Sequence, residues 1–312
     1  MTVAYIVNAG NNTVSICTVH APDGALNSCS VSTGNGTFNS PLAITVNASA
    51  SIAYIANFGS SQVSDCPIQS DGLFGTCTTL NDATFGDMTG ITLSPSGDYL
   101  YASNIGTSTG DGSVSICPVR QDGSLASCAS SGNMGGLFAY PQVIAVNPTG
   151  TVLYSSGVAN QLSMTLCAIT AGGGSLSACT TASGSGPAPN PGFLAVQGIG
   201  FNALGTMAYV GNSGNSGPIS NFVSICPVNP DGSFGNCTIT DGNGTFNFTA
   251  NAAIGLFISS ATQFAYVPND GSNTVSICPI EQDGSLGACA TSDGGGSLNQ
   301  PSALFLASVP GP

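Results

Sequence analysis

Six times along the chain, at intervals of about fifty residues, the same order recurs: a tyrosine, a cysteine, a turn and a second cysteine. The tyrosines are Tyr5, Tyr54, Tyr101, Tyr154, Tyr209 and Tyr266. A period of this length points to propeller blades or solenoid turns, in which each repeat buries its apolar face against the next. The turn is Asp-Gly at Asp23-Gly24, Asp71-Gly72, Asp122-Gly123, Asp231-Gly232 and Asp283-Gly284, and Gly172-Gly173-Gly174 in the fourth copy. Asp-Gly between two apolar runs signals a hairpin, because glycine accepts the positive φ that the turn requires.

In four copies the turn lies midway between the cysteines. A two-residue turn there predicts directly opposed cysteines, with Cα atoms about 4.5 to 5.5 Å apart and within reach of a disulfide. The first and fourth copies carry one extra residue, which a bulge or longer loop absorbs. The expected pairing is therefore local: Cys17 with Cys29, Cys66 with Cys77, Cys117 with Cys128, Cys167 with Cys179, Cys226 with Cys237, and Cys278 with Cys289. Loops this short stabilise by about 3 kcal/mol each in the chain-entropy account, and they hold outer hairpins that have little core of their own.

Four strands are expected per copy. The innermost are the apolar runs Leu42 to Val46, Gly90 to Leu93, Pro141 to Val146, Phe193 to Ile199, Ala252 to Ile258 and Ser302 to Leu306. The tyrosine strand, a Val-Ser-Ile-Cys strand and the strand after the turn follow. Residues 1–312 thus read as one all-β domain, a six-bladed propeller with four antiparallel strands and one disulfide per blade. The last run, Ser302, Ala303, Leu304, Phe305 and Leu306, is expected to complete the blade begun by Thr2 to Val7. Donated instead to a neighbouring copy, the same strand would build a fibre, so self-association is the expected partnership.

Arg120 is the only basic residue besides His20, the one histidine, and the net charge is −13. That balance excludes nucleic-acid binding, which needs a basic footprint, and argues against anionic membrane surfaces. No segment is long and apolar enough to insert in a bilayer. Twelve cysteines without a Cys-x-x-Cys pair argue for an oxidising, extracellular or cell-surface location and against structural zinc. Met1 leads directly into a strand-like run, so an export signal is expected to have been removed or to lie outside this numbering.

The segments Tyr5-Ile6-Val7-Asn8, Tyr54-Ile55-Ala56-Asn57, Tyr101-Ala102-Ser103-Asn104, Tyr209-Val210-Gly211-Asn212 and Tyr266-Val267-Pro268-Asn269 resemble the Tyr-Val-Thr-Asn propeller repeat. That family includes surface-layer and lactonase-like propellers. The fourth copy departs from it with Tyr154-Ser155-Ser156-Gly157. The resemblance implies extracellular display or assembly on the surface-layer pattern, and hydrolysis on the lactonase pattern.

Chemistry-bearing residues are scarce. His20 lies on an outer hairpin with few partners for a triad or metal. Asp23, Asp71, Asp122, Asp231 and Asp283 have turn roles, Asp98 and Glu281 lie beside turns, and Asp65 sits in a strand. Propeller geometry places Asp82, Asp87, Asp111, Asp241, Asp270 and Asp293 together on the opposite face, where loop oxygens offer calcium its only opportunity. Otherwise no cofactor or metal is expected. Thr291 to Ser297 is glycine-rich but opens no helix, so it reads as a loop and not a phosphate cradle. Sequons at Asn11, Asn35, Asn47, Asn243 and Asn247 are candidate glycosylation sites, with Asn236 the weakest because Cys237 follows it. Phe38, Phe85, Phe138 and Phe246 read as loop anchors in preference to sugar-stacking rings. The expected function is a non-enzymatic structural protein assembling into a fibre or surface layer. A glycan-binding, lectin-like propeller is the alternative, and a lactonase-type hydrolase comes last.

Overall fold

The computed structural model describes residues 1–106, 111–156, 162–186, 192–214, 221–248 and 255–311. Within them the chain forms six four-stranded antiparallel sheets, the expected propeller. The first blade holds β1 (Thr2–Asn8), β2 (Thr13–Val19) and β3 (Leu26–Ser32). The second is β4 (Pro41–Val46), β5 (Ile52–Asn57), β6 (Gln62–Pro67) and β7 (Thr78–Leu80). The third is β8 (Met88–Leu93), β9 (Tyr99–Asn104), β10 (Ser113–Pro118) and β11 (Ala129–Ser130). The fourth is β12 (Ile144–Val146), β13 (Val152–Ser156), β14 (Met164–Ile169) and β15 (Leu176–Ala182). The fifth is β16 (Val196–Phe201), β17 (Met207–Ser213), β18 (Asn221–Pro227) and β19 (Thr238–Thr240). The sixth is β20 (Phe257–Ser259), β21 (Phe264–Asn269), β22 (Thr274–Pro279) and β23 (Ala290–Ser292).

The final strand, β24 (Pro301–Ser308), returns to the first blade and pairs antiparallel with β1 along its length. The ring is therefore closed within the chain by hydrogen bonds. The inner strands differ from the sequence reading at their starts: β4 begins at Pro41, β8 at Met88, β12 at Ile144, β16 at Val196, β20 at Phe257 and β24 at Pro301. Residues 252–254 of the sixth inner run lie outside the described residues.

Each of the six disulfides joins the third and fourth strands of one blade, with Cα atoms 4.0 to 4.2 Å apart, closer than the expected spacing. The extra residue of the first and fourth copies is absorbed as a bulge, at Ser28 and Ala178, both with positive φ. The two-residue turn is corrected. In the second blade Gln69 N–H donates to Leu73 O, so Ser70, Asp71 and Gly72 form a three-residue loop. The ladder then shifts by one between the Ile68–Phe74 bridge and the Asp65–Thr78 pair, which restores Cys66 and Cys77 to opposite positions. Asp71 closes the loop by accepting from Leu73 N–H at 3.0 Å.

The repeated tyrosine and asparagine now acquire physical roles. Each tyrosine is fully buried and donates its hydroxyl to the carbonyl of the turn glycine in the next blade. The six bonds run from Tyr5 to Gly72, Tyr54 to Gly123, Tyr101 to Gly173, Tyr154 to Gly232, Tyr209 to Gly284 and Tyr266 to Gly24, at 2.5 to 3.1 Å. Glycine is required at the receiving end twice over. Gly123 has φ of +83°, and a Cβ there would lie 2.0 Å from Ile52 Cδ1. The asparagine acts on the opposite face. Asn57 accepts from Asn39 N–H at 2.9 Å and donates to Ser64 Oγ at 2.8 Å, and Ser64 in turn donates to Thr37 O. Asn8, Asn104, Asn212 and Asn269 repeat the arrangement with Ser15, Ser115, Ser224 and Ser276. The fourth blade keeps the serine-to-loop bond as Thr165 to Leu137 O, while Gly157 lies outside the described residues.

Burial, reinforced at five sites by a nearby aspartate, raises the pKa of all six tyrosines, to about 12 for Tyr101 and Tyr154. A raised folded-state pKa gives stability that is complete below the ordinary tyrosine value near 10 and is lost as pH rises through the folded one. The thermal midpoint is expected to be flat at neutral pH and to fall from about pH 10 upward. Tyr54→Phe should cost about 1 to 2 kcal/mol, because it leaves the Gly123 carbonyl buried without a donor, measurable by denaturant unfolding.

Asp65 occupies the place that Ile16, Ile116, Ile225 and Ile277 fill in other blades. Burial, with Asp122 nearby, pushes its carboxyl up. The raised value favours folding below the ordinary carboxylate pKa, an advantage lost as pH rises through the folded value. Asp65→Ile is expected to stabilise the protein by about 1 to 2 kcal/mol at pH 7, with the gain shrinking on acidification in parallel unfolding curves.

Candidate active site

The inner strands of all six blades surround a central cavity of about 250 Å³. Such a volume lies just below the roughly 300 to 1,000 Å³ of drug-sized ligand sites and admits one small ring. Among the described residues no ionisable side chain lines it. Its walls are largely aliphatic and aromatic, from Ile44, Ile91, Ile199, Leu256, Phe257 and Phe305.

Polarity is concentrated at one end, where the inner strands begin. There the ladder slips in four blades: Pro41 pairs with Asn57 but Ala43 with Ala56, and the same step occurs at Met88/Gly90, Val196/Gly198 and Pro301/Ala303. The residue skipped in each is a bulge that re-aims its side chain. These residues are Leu42, Thr89, Gln197 and Ser302, and Gln142 holds the equivalent place in the fourth blade. Three residues upstream of Leu42, Thr89, Gln197 and Ser302 stand the backbone N–H groups of Asn39, Gly86, Leu194 and Asn299, each held by the blade's repeat asparagine. The Tyr-x-x-Asn unit thus sets the position of the channel mouth.

Gln142, Gln197 and Ser302 are 4%, 0% and 2% exposed. Gln142 Oε1, Gln197 Oε1 and Ser302 Oγ have no hydrogen-bond partner among the described residues. Gln197 does donate from Nε2 to Ser213 Oγ at 2.9 Å, and Thr89 donates to Pro141 O at 2.9 Å. A buried polar atom left unpaired costs about 1 to 3 kcal/mol, so the two in the cavity wall, on Gln142 and Gln197, call for an explanation in function.

The acids sort clearly. Asp23, Asp71, Asp122, Asp231 and Asp283 cap their turns. On the channel face Asp82 accepts from Thr84 and Cys128 N–H, while the turn N–H groups of Asn243 and Gly295 hold Asp241 and Asp293. These bonds hold Asp82 below the usual carboxylate range against the opposing effect of burial. Asp111 and Asp270 also interact with neighbours. Asp87 is half-buried immediately before β8, two residues from Thr89, and no hydrogen bond engages its carboxylate among the described residues. No group of three or more metal-binding side chains comes together among the described residues.

His20 and Arg120 sit on the other face. His20 Nδ1 lies 2.8 Å from Asp23 Oδ1, both exposed, and the Arg120 guanidinium donates to Leu125 O within its own hairpin. Of the loop phenylalanines, Phe38, Phe138 and Phe246 are buried anchors. The sequon residues Asn11, Asn35, Asn243 and Asn247 are exposed, and Asn47 is half-buried with its Oδ1 taken by Ser51 and Ile52 N–H. Sequence reasoning passed over Gln142 and Gln197. The available signal was a polar residue recurring at one position of otherwise apolar inner runs.

No protein-family model matches the chain, and no curated protein sequence matches it. Its fold is nevertheless shared with solved structures. The periplasmic gluconolactonase of Pseudomonas aeruginosa superposes with a TM-score of 0.69 at 16% identity, over 99% of both chains. A candidate 6-phosphogluconolactonase of Bacteroides uniformis gives 0.59 at 15% identity over 98% of this chain and 85% of its own. Its Bacteroides fragilis counterpart gives 0.60 at 15% identity over 98% and 84%. These three neighbours are described as lactonases, which corrects the expectation of a non-enzymatic structural protein, while the likeness itself is one of fold. The scarcity of charged residues had pointed the other way. Six disulfides and a periplasmic neighbour fit an extracytoplasmic setting, and no helix among the described residues is long and apolar enough to cross a membrane.

Proposed function

We propose that the chain is a lactonase-type hydrolase of the Tyr-Val-Thr-Asn repeat class, exported to the cell exterior, with its site at the mouth of the central channel. The observation that carries this reading is the pair of buried glutamine amides lining that mouth, Gln142 and Gln197, each with an unpartnered Oε1. Apolar walls below the mouth keep bulk water off a bound ring. Polar groups above orient it.

In this reading Asp87 is the general base. It takes a proton from a water whose oxygen bonds to the lactone carbonyl carbon. The ring C–O bond then breaks, and the departing alkoxide receives the proton, leaving an open hydroxy acid. A positioned base contributes roughly 10² to 10⁴ in rate. Asp87→Asn should therefore lower kcat for gluconolactone opening by that order while leaving KM within about threefold. The measurement is pH-stat titration of the acid released, corrected for spontaneous opening. Activity of Asp87→Asn equal to the parent would remove Asp87 from the mechanism, and absence of any enzyme-dependent opening would remove the hydrolase reading.

A further inference from the structure

The channel mouth discriminates by charge as well as by shape. We infer that Gln142 and Gln197 form a hydroxyl-reading pair that selects an uncharged, polyhydroxylated ring and rejects its phosphorylated counterpart. This rests on the channel mouth being the substrate site, and deepens that reading.

The two glutamines stand at equivalent positions of adjacent blades, with Thr89 in the blade before them. Together they make a polar arc across three consecutive inner strands. Across the cavity the second and first blades present Leu42, Ala43 and Leu304, while Ser302, at the first blade's equivalent position, lies outside the cavity lining. The cavity is thus two-sided. One side suits a ring's hydroxyl-bearing edge and the other its C–H face.

The chemistry of the unpaired atoms narrows the ligand further. Gln142 and Gln197 are both more than nine-tenths buried, and each keeps an unpaired Oε1. Ser213 Oγ, the partner of Gln197, both donates and accepts, so the amide can turn over without losing that bond. In either orientation one polar atom is left over. Each Oε1 is covered where it stands, so the amide must turn toward the cavity it lines to meet a ligand hydroxyl, which satisfies both cases because it too donates and accepts. A phosphate presents only charged acceptor oxygens. It would meet carboxamide oxygens, no cation along the channel, and a protein of net charge −13 whose only arginine is engaged on the opposite face. Removing that charge from water would go uncompensated.

The test is calorimetric titration of the protein with gluconolactam, a ring that cannot open as the lactone does, and with its 6-phosphorylated form. The parent is expected to bind the neutral lactam, and to bind the phosphorylated one at least tenfold more weakly. Gln142→Leu and Gln197→Leu should each weaken lactam binding tenfold or more; Gln142→Leu should raise or preserve the thermal midpoint, since it removes a buried atom that lacks a partner, whereas Gln197→Leu should lower it, since it also breaks the bond to Ser213 Oγ. Gln142→Met and Gln197→Met, closer in shape, serve where a leucine variant fails to fold. Unchanged affinity in both variants overturns the inference, as does equal binding of the phosphorylated ring or no binding of the neutral one by the parent. Glutamine-dependent lactam binding without lactone turnover would remove the hydrolase and leave the inference standing. Turnover that is indifferent to both glutamines would do the reverse.

Discussion

Everything in this ring hangs on the hydrogen bond from a buried tyrosine to the turn glycine of the following blade. Packing of apolar sheet faces is strong but non-directional, and by itself leaves each blade free to settle at a range of angles to the next. A short O–H to carbonyl bond at the base of each interface removes that freedom. It works because the turn glycine has no side chain to keep the phenol away. The last of the six, Tyr266 to Gly24, joins residues 242 apart in sequence and does for the sixth interface what β24 does for the first blade.

The same four-residue unit governs the other face. Where the tyrosine fixes a blade to its neighbour, the asparagine three residues later fixes the incoming loop to the blade. Loop, bulge and channel residue therefore follow in a set order. Thr89 and Gln197 are carried into the cavity by strands that need no functional group for their own folding. A repeat devoted to architecture can in this way hold a site made of residues outside the repeat.

That division explains what could be read from the sequence. Tyrosines, cysteines and Asp-Gly turns are punctuation with local physical causes, so blade number, strand order, disulfides and closure by Ser302 to Leu306 were all legible. The length of the hairpin loop was not, because a three-residue loop and a compensating shift leave the cysteines in the same register as a two-residue turn would. The site was missed for a different reason. Gln142 and Gln197 are unremarkable letters inside apolar runs, and only closure of the ring brings them side by side and buries them without partners. Their burial is a property of six blades at once.

The charge distribution gains meaning from the same geometry. Apart from Asp65 in β6, the carboxylates described lie on turns and loops, so the chain is strongly acidic while the cavity at its centre is lined by no ionisable side chain among the described residues. Opening a lactone converts an uncharged ring into a carboxylate. For the reading proposed above, substrate enters a site that asks nothing of its charge, and product leaves one that has no cation to retain it, under a surface potential that can reach several kT. An arginine or lysine at the mouth would strengthen the hold on the product more than on the neutral substrate. On that reading, the lack of basic residues at the channel among the described residues, which first argued against catalysis, would let the open acid depart.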